Sequence, residues 1–115
     1  MLLNLSSGTA FKGTPGLMQY VASKGAILSM TRALASEFAR DNILVNAVAP
    51  GFTLSENAAA LPELRPYADA AIATRLIKRD AYPVDLANVI FFLASQDAGF
   101  ITGQVMAVDG GSVFH

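Results

Sequence analysis

Apolar residues along this chain fall into two kinds of segment. Short, almost unbroken apolar runs occupy residues 2–6, 43–49 and 103–108, and runs of this length bounded by polar residues, Gly or Pro are typical of buried β-strands. Two longer segments, residues 17–40 and 84–95, repeat apolar positions every three or four residues, which predicts helices. The predicted order is strand, long helix, strand, irregular segment, helix, strand.

Alternation of strands and helices favours a parallel sheet with right-handed crossovers. We therefore predict an α/β fold: a partial Rossmann-type doubly wound fold with three parallel strands, two main helices and a short helical lid. The lid is the irregular segment at about residues 52–79, where residues 69–77 are the best helix candidate. Three strands make only part of such a fold, so residues 1–115 are expected to be half of a larger unit.

Both helices should bury their apolar stripes, and unbranched methionine side chains are suited to filling gaps in a core. The residues expected to face the core are Ile27, Met30, Leu34 and Phe38 in the long helix, Leu86, Val89, Ile90 and Leu93 in the second helix, and Met18 and Met106 as gap fillers.

Most polar residues in the predicted elements have structural or solvent-exposed roles. Asn46 interrupts a buried strand, so it is expected to be a hydrogen-bonded structural group. Asp109 is expected to stabilise the final turn or a subunit contact. The lid residues expected to be solvated are Glu56, Asp69, Arg75 and Lys78.

Composition excludes several classes of function. The net charge is −1, which gives no indication of nucleic-acid binding. Cysteine is absent and the single histidine is His115, so thiol chemistry, a histidine metal site and a Ser-His-Asp triad are all excluded. No apolar run approaches the ~20 residues that cross a bilayer, and no secretory signal is visible, so we expect a cytoplasmic protein without a membrane partner.

Three residues suggest proton-transfer chemistry at an oxygen atom. Tyr20 and Lys24 stand four positions apart in the predicted long helix, and Ser7 follows the first predicted strand, thirteen positions before the tyrosine. An ammonium one helical turn from a phenol favours the ionised phenol. A serine hydroxyl nearby can hold the oxygen of an alcohol or carbonyl, so the trio suits acid/base catalysis at such an oxygen.

The motifs around these residues resemble the C-terminal half of a classical short-chain dehydrogenase/reductase, and the resemblance covers nearly the whole chain. In order, the motifs are Asn4-Leu5-Ser6-Ser7, Tyr20-Val21-Ala22-Ser23-Lys24, Val45-Asn46-Ala47-Val48-Ala49-Pro50-Gly51, Ile101-Thr102-Gly103-Gln104 and Val108-Asp109-Gly110-Gly111.

The resemblance implies a role for each matching residue. Tyr20 would be the acid/base, Ser7 would orient the substrate oxygen, and Lys24 would favour the phenolate and hold the nicotinamide ribose hydroxyls beside Tyr20. The remaining cofactor contacts that it implies are Pro50, Gly51, Phe52 and Thr53 near the nicotinamide amide, and Ser55, where many family members have threonine.

The family's glycine-rich phosphate loop has no counterpart here. Neither Gly8-Thr9 nor Gly110-Gly111 opens a helix with Gly-x-Gly-x-x-Gly spacing, the pattern that binds pyrophosphate. The resemblance therefore implies an oxidoreductase acting on a small alcohol or ketone with NAD or NADP, as a homo-oligomer, with its N-terminal dinucleotide-binding half absent.

The sequence supports two other classes of function to different degrees. One is a non-catalytic oligomerisation or interaction fragment derived from that family, and the upstream edge of the first strand would suit it because an unpaired strand edge tends to associate. The other is a serine hydrolase using Ser7, which fails because the chain has neither an internal histidine nor a Gly-x-Ser-x-Gly elbow.

Overall fold

The computed structural model describes all 115 residues, and its core is a three-stranded parallel sheet with helices on both faces. The strands are β1 (Leu2–Leu5), β2 (Val45–Pro50) and β3 (Val105–Val108), and the helices are α1 (Thr9–Lys12), α2 (Met18–Glu37), α3 (Glu56–Ala59), α4 (Arg65–Thr74) and α5 (Pro83–Ala94).

The strand order is β1-β2-β3, with β2 in the centre. Leu2 pairs with Val45 at one end of the β1–β2 ladder, and Pro50 pairs with Val108 at the end of the β2–β3 ladder. Both ladders are parallel, so the carboxyl ends of all three strands lie at one edge of the sheet. The predicted α/β fold with three parallel strands is confirmed.

Successive side chains of β2 pack on opposite faces of the sheet, as the pleat of a strand requires. Ala47 and Ala49 contact Val105 on the face that Leu28 of α2 covers. Val48 contacts Leu93 on the face covered by α5. Because β2 has neighbours on both faces, nearly all of it is buried, which explains its continuous apolar sequence.

Two hydrogen bonds fix α2 on β1. Ser6 Oγ donates to the carbonyl oxygen of Lys24 (2.8 Å), and Asn4 Nδ2 donates to Thr31 Oγ1 (3.1 Å). Asn4 and Ser6 are two residues apart and share one face of the strand. Lys24 and Thr31 are two helical turns apart and share one face of the helix. These bonds set the register of α2 against the sheet.

The long helix ends close to residue 40, where the predicted helical segment ends. A short 3-10 turn, Ala39–Asp41, follows α2, and Asn42 then adopts the left-handed conformation (φ 56°) that ends it. None of the helices is both long and apolar enough to cross a membrane.

The predicted core of α5 is correct, but the methionines are not core residues. Leu93 is 2% exposed, and Leu86, Val89 and Ile90 pack around it. Met18, Met30 and Met106 are 80%, 45% and 41% exposed, so the prediction that they fill gaps in the core was wrong. The inward face of α2 instead centres on Thr31 and Ala35, because small side chains let the helix lie close to the sheet.

The lid segment (residues 52–79) differs from the prediction in two respects. Its main helix is α4, which starts at Arg65 with Pro66 in the first turn and ends at Thr74, earlier than the predicted residues 69–77. Arg75 is only 3% exposed, so its assignment as a solvated residue was wrong. Its guanidinium donates to the carbonyl oxygens of Phe52 (2.6 Å) and Arg79 (2.9 Å), which satisfy the buried charge.

Candidate functional site

The site lies at the carboxyl end of β1, where the polypeptide turns into α1. Ser6 and Ser7 are adjacent and point in different directions, as successive residues of an extended chain do. Ser6 bonds to the backbone of α2, whereas Ser7 borders an open cleft. Gly8 N donates to Pro50 O (2.9 Å), which holds this loop against the end of β2.

Ser7 has a defined hydrogen-bonding role. It is 8% exposed, and its Oγ accepts hydrogen bonds from the backbone N–H of Thr9 (3.3 Å) and from Thr9 Oγ1 (3.0 Å). A hydroxyl that accepts two hydrogen bonds still has its own proton to donate. Ser7 can therefore donate to an oxygen atom placed in the cleft.

Tyr20 and Lys24 occupy the first two turns of α2, on one face of the helix. The ammonium of Lys24 lies 5.8 Å from the centroid of the Tyr20 ring. Lys24 Nζ also donates to the carbonyl oxygen of Leu5 at the end of β1 (3.1 Å). Tyr20 is 45% exposed, so its phenol can be reached from the cleft. The arrangement keeps a positive charge beside an accessible phenol.

The cleft between these elements has a volume of about 290 Å³. The predicted site residues that line it are Ser7, Tyr20, Pro50, Gly51 and Phe52. Lys24 is not among the residues that line the cleft. The structure thus brings the predicted serine and tyrosine together with the loop that follows β2.

Two predicted cofactor residues lie outside the lining of the cleft. Thr53 Oγ1 donates to Gly51 O (3.1 Å), and the Thr53 backbone forms a parallel bridge with Ala81. Ser55 Oγ accepts a hydrogen bond from Ala58 N (3.2 Å) and caps the N-terminus of α3. Both hydroxyls therefore organise the start of the lid segment.

Gly51 is required by close packing against the turn after β3. A methyl group at this position would lie 2.9 Å from Asp109 Cβ, which is closer than carbon atoms approach. Asp109 is 3% exposed, and its carboxylate accepts hydrogen bonds from the backbone N–H groups of Gly111, Ser112 and Val113. The predicted structural role of Asp109 in the final turn is therefore correct.

Several residues of the cleft were not identified from the sequence. Ser6, which lies outside the lining and positions α2, was also given no role, although it directly precedes Ser7 in the sequence. Lys12 and Thr14 had no motif to mark them, because their place in the cleft depends on how α1 turns after Ser7. The other lining residues are Gly8, Thr9, Ala71 and Asp109.

Comparison with known proteins gives a consistent result. Residues 1–113 match the family model described as enoyl-(acyl carrier protein) reductase. The 3alpha-hydroxysteroid dehydrogenase of Mediterraneibacter gnavus is 45% identical over 112 residues, which are 96% of this chain and 43% of that protein. The 3-oxoacyl-(acyl-carrier-protein) reductase FabG of Thermotoga maritima is 41% identical, over 97% of this chain and 45% of that protein. The chain thus spans less than half the length of these relatives.

Solved structures agree with the sequence matches. A short-chain dehydrogenase/reductase from Brucella melitensis superposes with a TM-score of 0.85 at 36% identity, over 98% of this chain and 45% of that one. A 4-hydroxyisoleucine dehydrogenase solved with NADH gives 0.84 at 31% identity, over 96% and 46%. A Beutenbergia cavernae protein solved with NADP gives 0.85 at 41% identity, over 96% and 44%. The similar structures thus include one solved with NADH and one solved with NADP.

Proposed function

Because the chain belongs to the short-chain dehydrogenase/reductase family, we propose that it supplies the acid/base and substrate-binding part of an NAD(P)-dependent oxidoreductase that interconverts alcohols and ketones. The observation that carries this proposal is the meeting of Ser7 and Tyr20 in one cleft, with the Lys24 ammonium 5.8 Å from the tyrosine ring. The two residues come from separate elements and are brought together by the packing of α2 on β1.

The proposed mechanism moves one proton at the substrate oxygen. In the reducing direction the Tyr20 phenol donates its proton to the carbonyl oxygen, and in the oxidising direction the phenolate takes it back from the alcohol. Ser7 donates a hydrogen bond to the same oxygen and fixes its position. Lys24 keeps a positive charge 5.8 Å from the centre of the Tyr20 ring. The nicotinamide ring, when bound, supplies or accepts the hydride at the substrate carbon.

The chain fits one end of the cofactor better than the other. The backbone of Gly51 and Phe52 borders the cleft beside Tyr20, which suits the nicotinamide and its ribose, and Lys24 would hold the ribose hydroxyls. Pyrophosphate requires backbone N–H groups at a glycine-rich helix start. The two long helices start at Met18 and Pro83, without such a loop, so we propose that pyrophosphate contacts come from polypeptide outside residues 1–115.

The lid role of residues 52–79 is part of the proposal. Ala71 of α4 lies on the wall of the cleft, and the segment is attached at its start, where Leu54 N donates to Ala81 O (2.7 Å). At its end, Leu76 N donates to Gly110 O (2.9 Å). A segment attached at both ends and lining the cleft between them is suited to covering a small alcohol or ketone.

The experiment that tests the function uses the full chain and its Tyr20→Phe variant. Binding of NADH and NADPH is followed by nicotinamide fluorescence, and turnover of a panel of small ketones by loss of absorbance. Removal of the phenol hydroxyl is expected to lower turnover by roughly 10²- to 10⁴-fold and to leave cofactor binding within about two-fold. Tyr67→Phe, a change at a 65% exposed tyrosine of α4, is the matched control. Full turnover in Tyr20→Phe would refute the role of Tyr20.

A second candidate is a non-catalytic assembly function, which the exposed apolar side chains favour. Phe91 and Phe100 are 80% and 104% exposed, and Leu5 at the end of β1 is 52% exposed. Surfaces of this kind are typical of contacts with other polypeptides. Absence of NADH and NADPH binding would support this candidate for residues 1–115 by themselves. In either case we propose a homo-oligomer.

A further inference from the structure

Lys12 is the one free cation on the wall of the cleft. Six of the eight lysine and arginine side chains contact an acceptor: Lys24, Arg40, Arg65, Arg75, Lys78 and Arg79. Lys12 and Arg32 do not, and Lys12 lines the cleft that contains Ser7 and Tyr20. Its ammonium therefore lacks a protein counter-ion at the place where the substrate is proposed to bind.

No carboxylate in the cleft competes for this ammonium. Asp109 is the only acidic residue of the lining, and three backbone N–H groups already occupy its carboxylate while it is 3% exposed. Thr14 lines the same wall and its hydroxyl provides a further hydrogen-bond donor, whereas the Thr9 hydroxyl already donates to Ser7 Oγ. A wall with one unpaired ammonium and a free hydroxyl donor is suited to an anion rather than to an apolar group.

The backbone places Lys12 one short helix away from Ser7. Lys12 is the last residue of α1, and Gly13 follows in the left-handed conformation (φ 63°), which ends the helix and turns the chain towards Thr14. From Gly8 to Lys12 a helix rises by about 6 Å. The Cα of Lys12 therefore lies about one helical turn beyond Gly8, and Lys12 and Ser7 flank this short helix beside the same cleft.

From these observations we infer that Lys12 forms an anion subsite, and that the substrate is an alcohol or ketone carrying a carboxylate or similar anionic group. The inference deepens the proposed function and rests on it. Ser7 and Tyr20 would hold the reacting oxygen, and Lys12 would hold the charged end of the same molecule.

The test compares two ketones that differ in charge at one end, acetoacetate and methyl acetoacetate. Each is titrated into the ¹⁵N-labelled full chain, and the amide signals of Thr9, Lys12 and Thr14 report binding. We expect acetoacetate to bind roughly three- to five-fold more tightly than its ester, as an exposed ion pair provides. This preference should disappear in Lys12→Gln and persist in Lys12→Arg.

Arg32→Gln is the control, because it removes the other unpartnered cation, which lies on α2 outside the cleft. It should leave the preference for the anion unchanged. Three outcomes would overturn the inference. The unmodified chain could bind acid and ester equally, neither compound could shift the three amide signals, or Lys12→Gln could keep the preference for the acid. This experiment measures binding, whereas the Tyr20→Phe experiment measures turnover. The anion subsite at Lys12 can therefore be refuted while the acid/base role of Tyr20 is supported, and the role of Tyr20 can be refuted while the subsite is supported.

Discussion

The Arg75 guanidinium lies between two segments that border the candidate site. It donates to the carbonyl of Phe52, on the loop after β2, and its stem packs on Gly110, where an added methyl group would lie 3.1 Å from Arg75 Cδ. A methyl group at Gly51 would lie 3.5 Å from Arg75 Nη2, an ordinary van der Waals distance. The long buried side chain fits here because Gly110 has no side chain, so Arg75 connects the end of α4 to the cleft wall.

Substitution of Arg75 should destabilise the fold. Arg75→Met leaves the carbonyls of Phe52 and Arg79 without their charged donor, and each such hydrogen bond is worth about 1.5 kcal/mol or more. We expect the free energy of unfolding to fall by about 2–4 kcal/mol, measured by urea denaturation. Arg75→Lys should recover only part of this, because one ammonium cannot reproduce the fork of the guanidinium.

Arg32→Met provides the control for this measurement, since Arg32 is exposed and makes no ion pair. It should change stability by less than about 0.5 kcal/mol. A comparably small effect of Arg75→Met would show that the buried guanidinium contributes little to holding the cleft wall.

Burial of single polar residues was predictable only where the neighbouring sequence constrained it. Asn46 sits within an apolar strand, and its carboxamide does bond to the backbone of Ile101 (2.8 Å) and Gln104 (3.0 Å), as expected. Arg75 follows a short helix in a mixed segment, so nothing nearby in the sequence marked it as buried. One partner, Arg79, is four residues away, but the other, Phe52, is 23 residues earlier, and only the tertiary packing brings it to Arg75.

At the scale of elements, the first turn of α5 contains an ion pair that makes the stability of the fold depend on pH. Asp85 accepts a hydrogen bond from Tyr82 N (2.8 Å) and two from the Arg79 guanidinium (2.7 and 2.8 Å). The hydrogen bonds from Arg79 hold the pKa of Asp85 well below its usual range, and the Tyr82 N–H adds to the effect. The ion pair between Arg65 and Asp80 has the same effect, because the hydrogen bonds from Arg65 lower the pKa of Asp80.

Stability should therefore decrease in acid. A carboxylate whose pKa is lower in the folded state stabilises the fold at pH values above its unfolded pKa of about 4 and loses this effect as the pH falls further. We expect the thermal midpoint to drop between pH 6 and pH 3. The drop should be smaller in Asp85→Asn, which lacks the titrating group.

Asp97→Asn is the matched control, because Asp97 is exposed and outside these ion pairs. Its midpoint should follow the unmodified chain across the same pH range. An Asp85→Asn variant with the same pH dependence as the unmodified chain would contradict a role for this ion pair.

Helices and strands were predictable from the sequence where an apolar segment was clearly bounded by turn residues. All three strands and α5 are apolar and bounded by turn residues, and each is found within a few residues of its predicted position. The helix of the lid was misplaced because its start depends on Pro66 in the first turn and on Arg65, which bonds to Asp69 and Asp80. The second of these partners lies fifteen residues away, beyond the reach of a periodic pattern.

At the scale of the whole molecule, the chain is less compact than a self-sufficient domain. Its radius of gyration is 15.0 Å, compared with about 13 Å expected for this length. Its accessible surface is 7224 Å², compared with about 6,000 Å² for a monomer of this mass. Only 16 of 115 residues are buried although 53% are hydrophobic, so much apolar surface is left for other polypeptide to cover.

We therefore expect concentration-dependent association of the purified chain, with the aromatic surface of α5 contributing to it. Phe91→Ser removes an 80% exposed ring and should weaken association by roughly ten-fold or more, as for a central aromatic of an interface. Light scattering over a concentration series measures the change.

Tyr67→Ser is the control, since it removes a comparable exposed ring from the lid. It should leave association unaffected. A chain that stays monomeric at all concentrations, or an equal effect of both substitutions, would show that the α5 surface is not a specific contact.

The parallel register of the sheet also governs the order in which structure forms during synthesis. The backbone amide that bonds to the Asn46 carboxamide oxygen belongs to Gln104, 58 residues later. At about 5–20 residues per second, a ribosome takes roughly 3–12 seconds to add that stretch. Throughout this interval the nascent chain holds a central strand with one edge open, so chaperone capture should be strongest before the codons of β3 are read.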